Sequence, residues 1–156
     1  MMIQSCLVLL ALALVTQVNL AQPPIAPSEC LPDLDRQRLS AEAGIEKRIK
    51  IRREISDQLH KAVEQAQKKQ QTEAVAALLA CWGEHLAASL SDVESFINRK
   101  KRSGALKDFE IQLRKSIRDM EDSRLKAPYQ EIAHYDAWLD QAKKVREKFV
   151  DILFQR

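Results

Sequence analysis

Apolar residues recur every three or four positions through most of the chain after residue 33. The strongest series is Val75, Leu79, Trp82, Leu86, Leu90, Val93 and Ile97, which predicts an apolar helix over about 72–98. Beside it runs a strip of small residues, Ala74, Ala77, Cys81 and Ala88, that would let a neighbouring helix approach. A second clean stripe, Leu106, Phe109, Leu113, Ile117 and Met120, predicts a helix over 105–124. A third, Ile132, Tyr135, Leu139, Ala142, Val145, Phe149 and Ile152, predicts a helix over 129–154.

The first helical segment is less regular. Leu34, Ala41, Ile45 and Ile49 form one stripe, and Ile51, Ile55, Leu59 and Val63 form another, displaced by half a turn. We read a helix over 33–68 whose buried face changes phase near Lys50, with Gly44 as a weak point costing about 1 kcal/mol relative to Ala. Asp33, after Pro32, suits its start.

Polar stretches separate these stripes. Lys68, Lys69, Gln70 and Gln71 are polar all round and read as a turn, with Thr72 able to cap the next helix. Arg99 to Gly104 is a loop in which Ser103 is a candidate cap. Pro128 ends one helix and suits the first turn of the next. Four amphipathic segments with short connections and no strand signal predict an all-α domain over 33–156, an antiparallel four-helix bundle.

Ahead of that domain the composition shifts twice. Leu7 to Val15 is an unbroken apolar run, diluted by Thr16, Gln17 and Asn19 and followed by Ala21. Such a run covers about 14 Å as helix, roughly half a bilayer core, and reads as a signal peptide over 1–21 rather than a membrane span. Two features depart from the usual pattern: no Lys or Arg precedes the run, and Asn19 occupies a position where a small residue is preferred. Residues 22–32 hold four of the five prolines and read as an extended segment. The expected location is therefore outside the cytoplasm, secreted or periplasmic.

A disulfide is chemically admissible in that compartment, and Cys30 and Cys81 would close a loop of about 52 residues. Reach argues against it. A straight helix from Asp33 to the turn near Gln70 would leave Cys30 some 40 Å from Cys81, whereas a bridge needs α-carbons within about 7 Å. Either the chain folds back, near Gly44 for example, or Cys81 is a small buried hydrophobe and Cys30 is free or paired with another molecule.

Chemistry-bearing motifs are sparse. Glu131 with His134, Asp57 with His60, and Glu84 with His85 superficially match the carboxylate–histidine pairs of metal-binding bundles. Their phase puts them beside the apolar stripes, so we expect surface or boundary histidines and no metal or other cofactor. No nucleophile elbow occurs, and the three glycines are too dispersed for a phosphate loop. We expect no enzymatic activity. Trp82, Trp138 and Tyr135 are expected to anchor helix crossings.

A net charge of +3 is too balanced to indicate nucleic acid. Arg99, Lys100, Lys101 and Arg102 nevertheless form a run of four cations, a candidate basic contact patch, and with Ser103 a candidate site for a basic-specific protease. Membrane contact through such faces is not favoured over a solvated loop. The expected function is a non-catalytic helical interaction module that binds a protein partner or self-associates, with the off-stripe Ile111 and Leu125 available for contact. The alternatives are a chaperone-like or anionic-surface-binding protein and, more remotely, a metal-carboxylate enzyme.

Overall fold

The computed structural model describes residues 30–154. The signal-peptide reading over 1–21, and residues 22–29 of the Pro-rich segment, lie outside the described residues. The described chain contains five helices and no strand: α1 (Asp33–Ala41), α2 (Ile45–Lys68), α3 (Thr72–Phe96), α4 (Gly104–Lys126) and α5 (Tyr129–Phe154). Its three later helices start and end within two residues of the expected limits.

The single helix expected over 33–68 is corrected to two. Glu42 and Gly44 adopt extended backbone, with φ/ψ of −93°/114° and −81°/120°. Polar groups exposed by the break are satisfied locally: the Glu42 carboxylate accepts from the Gly44 N–H at 2.9 Å. The Arg48 guanidinium donates to the carbonyls of Leu39 and Glu42, capping the C-terminal end of α1. From this elbow α1 runs back along α2, as the Arg38–Glu54 and Arg48–Leu39 contacts record. Leu39 thereby enters the core. The phase change near Lys50 is no break at all. α2 carries a broad apolar face there because it meets α1 as well as the bundle interior, burying Ile49 and Ile55 and half-burying Ile45 and Ile51.

Four long helices form the bundle, and pair contacts give their directions. Between α2 and α3, Asp92 meets Arg48 and Arg52 while Trp82 meets Ser56, so the two run antiparallel. Between α4 and α5, Phe109 meets Phe149 while Arg124 meets Asp136, again antiparallel. Between α2 and α4 the pairs are Arg53–Asp108, His60–Ser116 and Gln67–Ser123, which advance together and make these helices parallel. α3 packs on α5, closing a ring in the order α2, α3, α5, α4. The bundle is thus two antiparallel hairpins laid side by side with parallel neighbours between them. Only neighbours within a hairpin are antiparallel, which narrows the fully antiparallel expectation. A short turn forces antiparallel packing inside each hairpin, whereas the loop 97–103 is long enough to cross a diagonal of the ring.

The core is aliphatic with an aromatic centre. Val63, Val75, Trp82, Leu86, Leu106, Phe109, Leu113, Met120, Tyr135 and Phe149 are fully buried. α3 is long and apolar enough to cross a membrane by length and composition. Here its apolar stripe is spent on both hairpins.

Local sequence also explains the ends. Ser103 Oγ accepts the Leu106 N–H at 3.0 Å and caps α4. The α2–α3 turn closes with Gln71 N–H to Ala66 O and Gln70 N–H to Gln67 O, both 3.0 Å, with Gln70 left-handed at φ 55°. This Schellman arrangement normally uses glycine at that position.

Two predictions follow from these features. Gln70→Gly removes the steric cost of the left-handed residue and is expected to stabilise the protein by about 1 kcal/mol, read as a rise in the midpoint of chemical denaturation. Cys30 and Cys81 are bonded, and replacing both by Ser removes a cross-link that closes a loop of about 52 residues and should cost roughly 2–4 kcal/mol. Limited proteolysis should then cut first in α1 and its elbow, where few other contacts hold the chain.

Candidate functional site

The two cysteines are joined, with α-carbons 5.7 Å apart. The fold-back at 42–44 supplies the reach that a straight helix denies. Cys30 ends up beside the middle of α3, and Cys81 is buried there next to Trp82. The unbridged alternative is set aside for this reason.

Trp82 lies at the centre of a polar layer that crosses the bundle. Its indole N–H donates to Ser56 Oγ at 2.8 Å. One ring face stacks on His60, centroids 5.3 Å apart, and Trp138 packs against it at 4.2 Å with the rings inclined by 42°. His60 Nδ1 lies 3.2 Å from Ser116 Oγ, and its Nε2 is 3.7 Å from both Glu64 Oε1 and Asp119 Oδ2. Serine, histidine and carboxylate thus meet on three turns of two helices.

The layer is not arranged for nucleophilic catalysis. Ser116 is 1% exposed, so a substrate has no path to its hydroxyl. It sits mid-helix, where the neighbouring backbone N–H groups are engaged in the helix and cannot form an oxyanion hole. The carboxylates stand beyond hydrogen-bond distance of the ring. What the arrangement does is give the Trp82 indole and the Ser116 hydroxyl partners inside an apolar core and fix the register of α2 against α3 and α4.

The three carboxylate–histidine pairs go separate ways. Asp57 pairs with Lys61 at 2.6 Å. His60 is buried against Trp82, His85 is buried at the α2–α3 contact, and His134 is exposed. Two of the three histidines therefore depart from the expected surface or boundary setting. His60 follows Ser56 by one turn on a face that α4 covers, and His85 precedes Leu86 on the wide inner face of α3. Among the described residues no three His, Cys, Asp or Glu side chains converge as metal ligands. Glu131 is also buried, although its stripe position suggested a flank. With burial of the phenol, its charge raises the Tyr135 pKa to about 12.

His85 Nε2 lies 2.8 Å from the Arg52 carbonyl, so that nitrogen carries the proton and donates. Burial lowers its pKa from 6.5 to about 4. Beside it Asp92 receives Arg48 through both oxygens at 3.0 Å, and Arg52 Nε at 3.0 Å. This clasp joins the elbow side of α2 to α3.

The basic run lies at one end of the bundle. Arg99, Lys100, Lys101 and Arg102 are all exposed, on a loop turned by Lys100 N–H to Asn98 Oδ1 at 3.0 Å and Lys101 N–H to Asn98 O at 3.1 Å. Because α3 and α5 run parallel, their C-terminal ends meet here. Between the loop and the end of α5 is a cavity of about 540 Å³ floored by Ile97, Ile152, Leu153 and Phe154. A second, of about 570 Å³, continues along the α4–α5 groove past Ile111 and Val150 with Arg102, Lys107 and Arg114 at its edge. For a protease the loop is poorly presented. Ser103 is buried and caps α4, and Leu106 is fully buried, so an extended strand across the Arg102–Ser103 bond requires the helix to fray.

Sequence reasoning missed the Trp82–His60–Ser116 layer. The available signal was Ser56, His60 and Val63 at helical spacing, a polar pair in line with a buried valine. No family model, curated protein or solved structure matches the chain.

His85 sets an acid limit on stability. Its folded pKa lies below the unfolded value, so the unfolded chain takes up the proton first. Stability is complete above about pH 6.5 and is lost as the pH falls towards 4, by roughly 3 kcal/mol in total. Denaturation midpoints between pH 7 and pH 4.5 should show a slope that flattens in His85→Gln; an unchanged slope would reject the assignment.

Proposed function

We propose that this chain is a non-catalytic, extracytoplasmic helical module that works by binding a protein, either another copy of itself or a different partner, through the outer face of α4. The observation that carries this reading is the pattern on that face. Ile111 and Leu125 are 43% and 78% exposed and stand four helical turns apart, about 21 Å along the axis. Arg114, Lys115 and Arg118 lie between them and are exposed. With three cations to one exposed acid, Asp122, and apolar residues at both ends, the strip suits a partner helix of acidic, amphipathic character.

The remaining polar chemistry supports a binding role over a catalytic one, because the serine, histidine and tryptophan groups at the centre are occupied in packing. The Cys30–Cys81 bridge fits an oxidising compartment and a leader removed near Ala21. No cofactor is required by this reading.

A photo-crosslinking residue in place of Ile111 is expected to give a discrete adduct in the compartment where the protein resides. Leu125→Asp combined with Arg118→Glu should reduce that adduct about tenfold while leaving the melting temperature unchanged. Sedimentation velocity across a range of concentrations separates the two partners: mass that rises with concentration identifies self-association. Absence of any adduct, together with a constant monomer mass, would overturn the reading.

A further inference from the structure

We propose a second contact surface, adjoining the α4 face at the groove past Ile111: the end of the bundle formed by loop 97–103 and the last turns of α3 and α5 docks onto anionic phospholipid membranes. The argument begins with where the phenylalanines are. The chain has four. Phe109 and Phe149 pair in the core, with ring centroids 5.2 Å apart. Phe96 and Phe154 are 65% and 76% exposed, and the parallel arrangement of α3 and α5 brings both to the same end. Neither has an assigned task in the core.

That same end carries the four consecutive cations Arg99 to Arg102, all exposed, with the exposed Lys107 one turn into α4. The apolar floor of Ile97, Leu153 and Phe154 faces the loop directly across a cavity. The surrounding acids are Glu42, Glu46, Glu94, Asp108 and Asp151, and Asp108 is paired with Arg53 at 3.4 Å. Glu46 accepts the Ala105 N–H at 3.4 Å, and Glu42 is engaged with Gly44 and Lys47. Glu94 and Asp151 are exposed and lie in the last turns of α3 and α5. The loop itself, residues 97–103, carries four cations and no acid.

Exposed aromatic rings at the tip of a rigid element, within a cluster of cations, match the two layers of a bilayer surface. Phosphate groups meet guanidinium and ammonium groups, and the rings reach the acyl boundary. An acidic peptide would also meet the cations. It has less use for two exposed aromatic rings on the ends of separate helices, of which Phe154 edges the cavity beside the loop and Phe96 lies outside it. The opposite end of the bundle provides an internal control. It has cations at Lys68, Lys69 and Lys126 and an exposed Tyr129, but no consecutive run of four.

The test uses the full mature chain and co-sedimentation with vesicles. Wild type is expected to bind vesicles of about one-third phosphatidylglycerol in phosphatidylcholine and not pure phosphatidylcholine. Changing Arg99, Lys100, Lys101 and Arg102 all to Gln should weaken binding at least about a hundredfold, and Phe96→Ser with Phe154→Ser about tenfold. Lys68→Gln with Lys69→Gln should bind as wild type. Circular dichroism and thermal melting check that each variant is folded, which the exposure of these residues favours. The proposal is overturned by any of four results: no binding to anionic vesicles, an equal loss in the control pair, a phenylalanine pair that binds as tightly as wild type, or complete displacement from vesicles by soluble polyglutamate that itself binds independently of Phe96 and Phe154. The last would mark an acidic protein ligand instead. Loss of the Ile111 adduct leaves these outcomes untouched, so the two surfaces fail separately.

Discussion

The structure depends on the packing of one tryptophan. Trp82 touches α2 through Ser56 and His60, and α5 through Trp138, and His60 passes the contact on to Ser116 of α4. All four long helices thus meet in one layer. The Trp82 N–H finds an acceptor, which selects one orientation of the ring. Ser56 supplies that acceptor and thereby sets the register of the first hairpin. The stacked and tilted rings on its two sides then position the second hairpin.

Cys81, the residue before it, ties in what the bundle alone would not hold. α1 has nine residues, one of them a buried leucine, which is too little apolar surface to keep so short a helix docked. The disulfide anchors its start, and Arg48 caps its end while gripping Asp92 on α3. Covalent and polar contacts take over at the place where the hydrophobic core runs out. Adjacent residues on one helix, about 100° apart around its axis, therefore serve the interior and the outer layer respectively.

This division underlies the two proposed contact surfaces. Of the six large apolar residues that are exposed among the described residues, Ile111 and Leu125 lie on α4 and Phe96 and Phe154 at the end carrying loop 97–103, while Leu34 and Tyr129 stand apart. The rigidity of the bundle gives both surfaces fixed shape, and their cations lie on segments whose backbone is capped or turned by local hydrogen bonds.

The sequence by itself determined the helical class, the extent of α3, α4 and α5, and the basic loop, because those features rest on local periodicity and on which residues cap or break a helix. Ile111 and Leu125 were legible as off-stripe for the same reason. Tertiary structure decided the rest. The elbow at Glu42–Gly44 lacks a strong breaker, and its stability comes from the burial of Leu39 against α2 and from Arg48, which is held by Asp92, 44 residues further along the chain. The bridge between Cys30 and Cys81 depended on that elbow. The ring order of the helices, and the burial of His60 and His85, followed from which faces of different helices came to oppose each other, and a pattern along one chain does not record that.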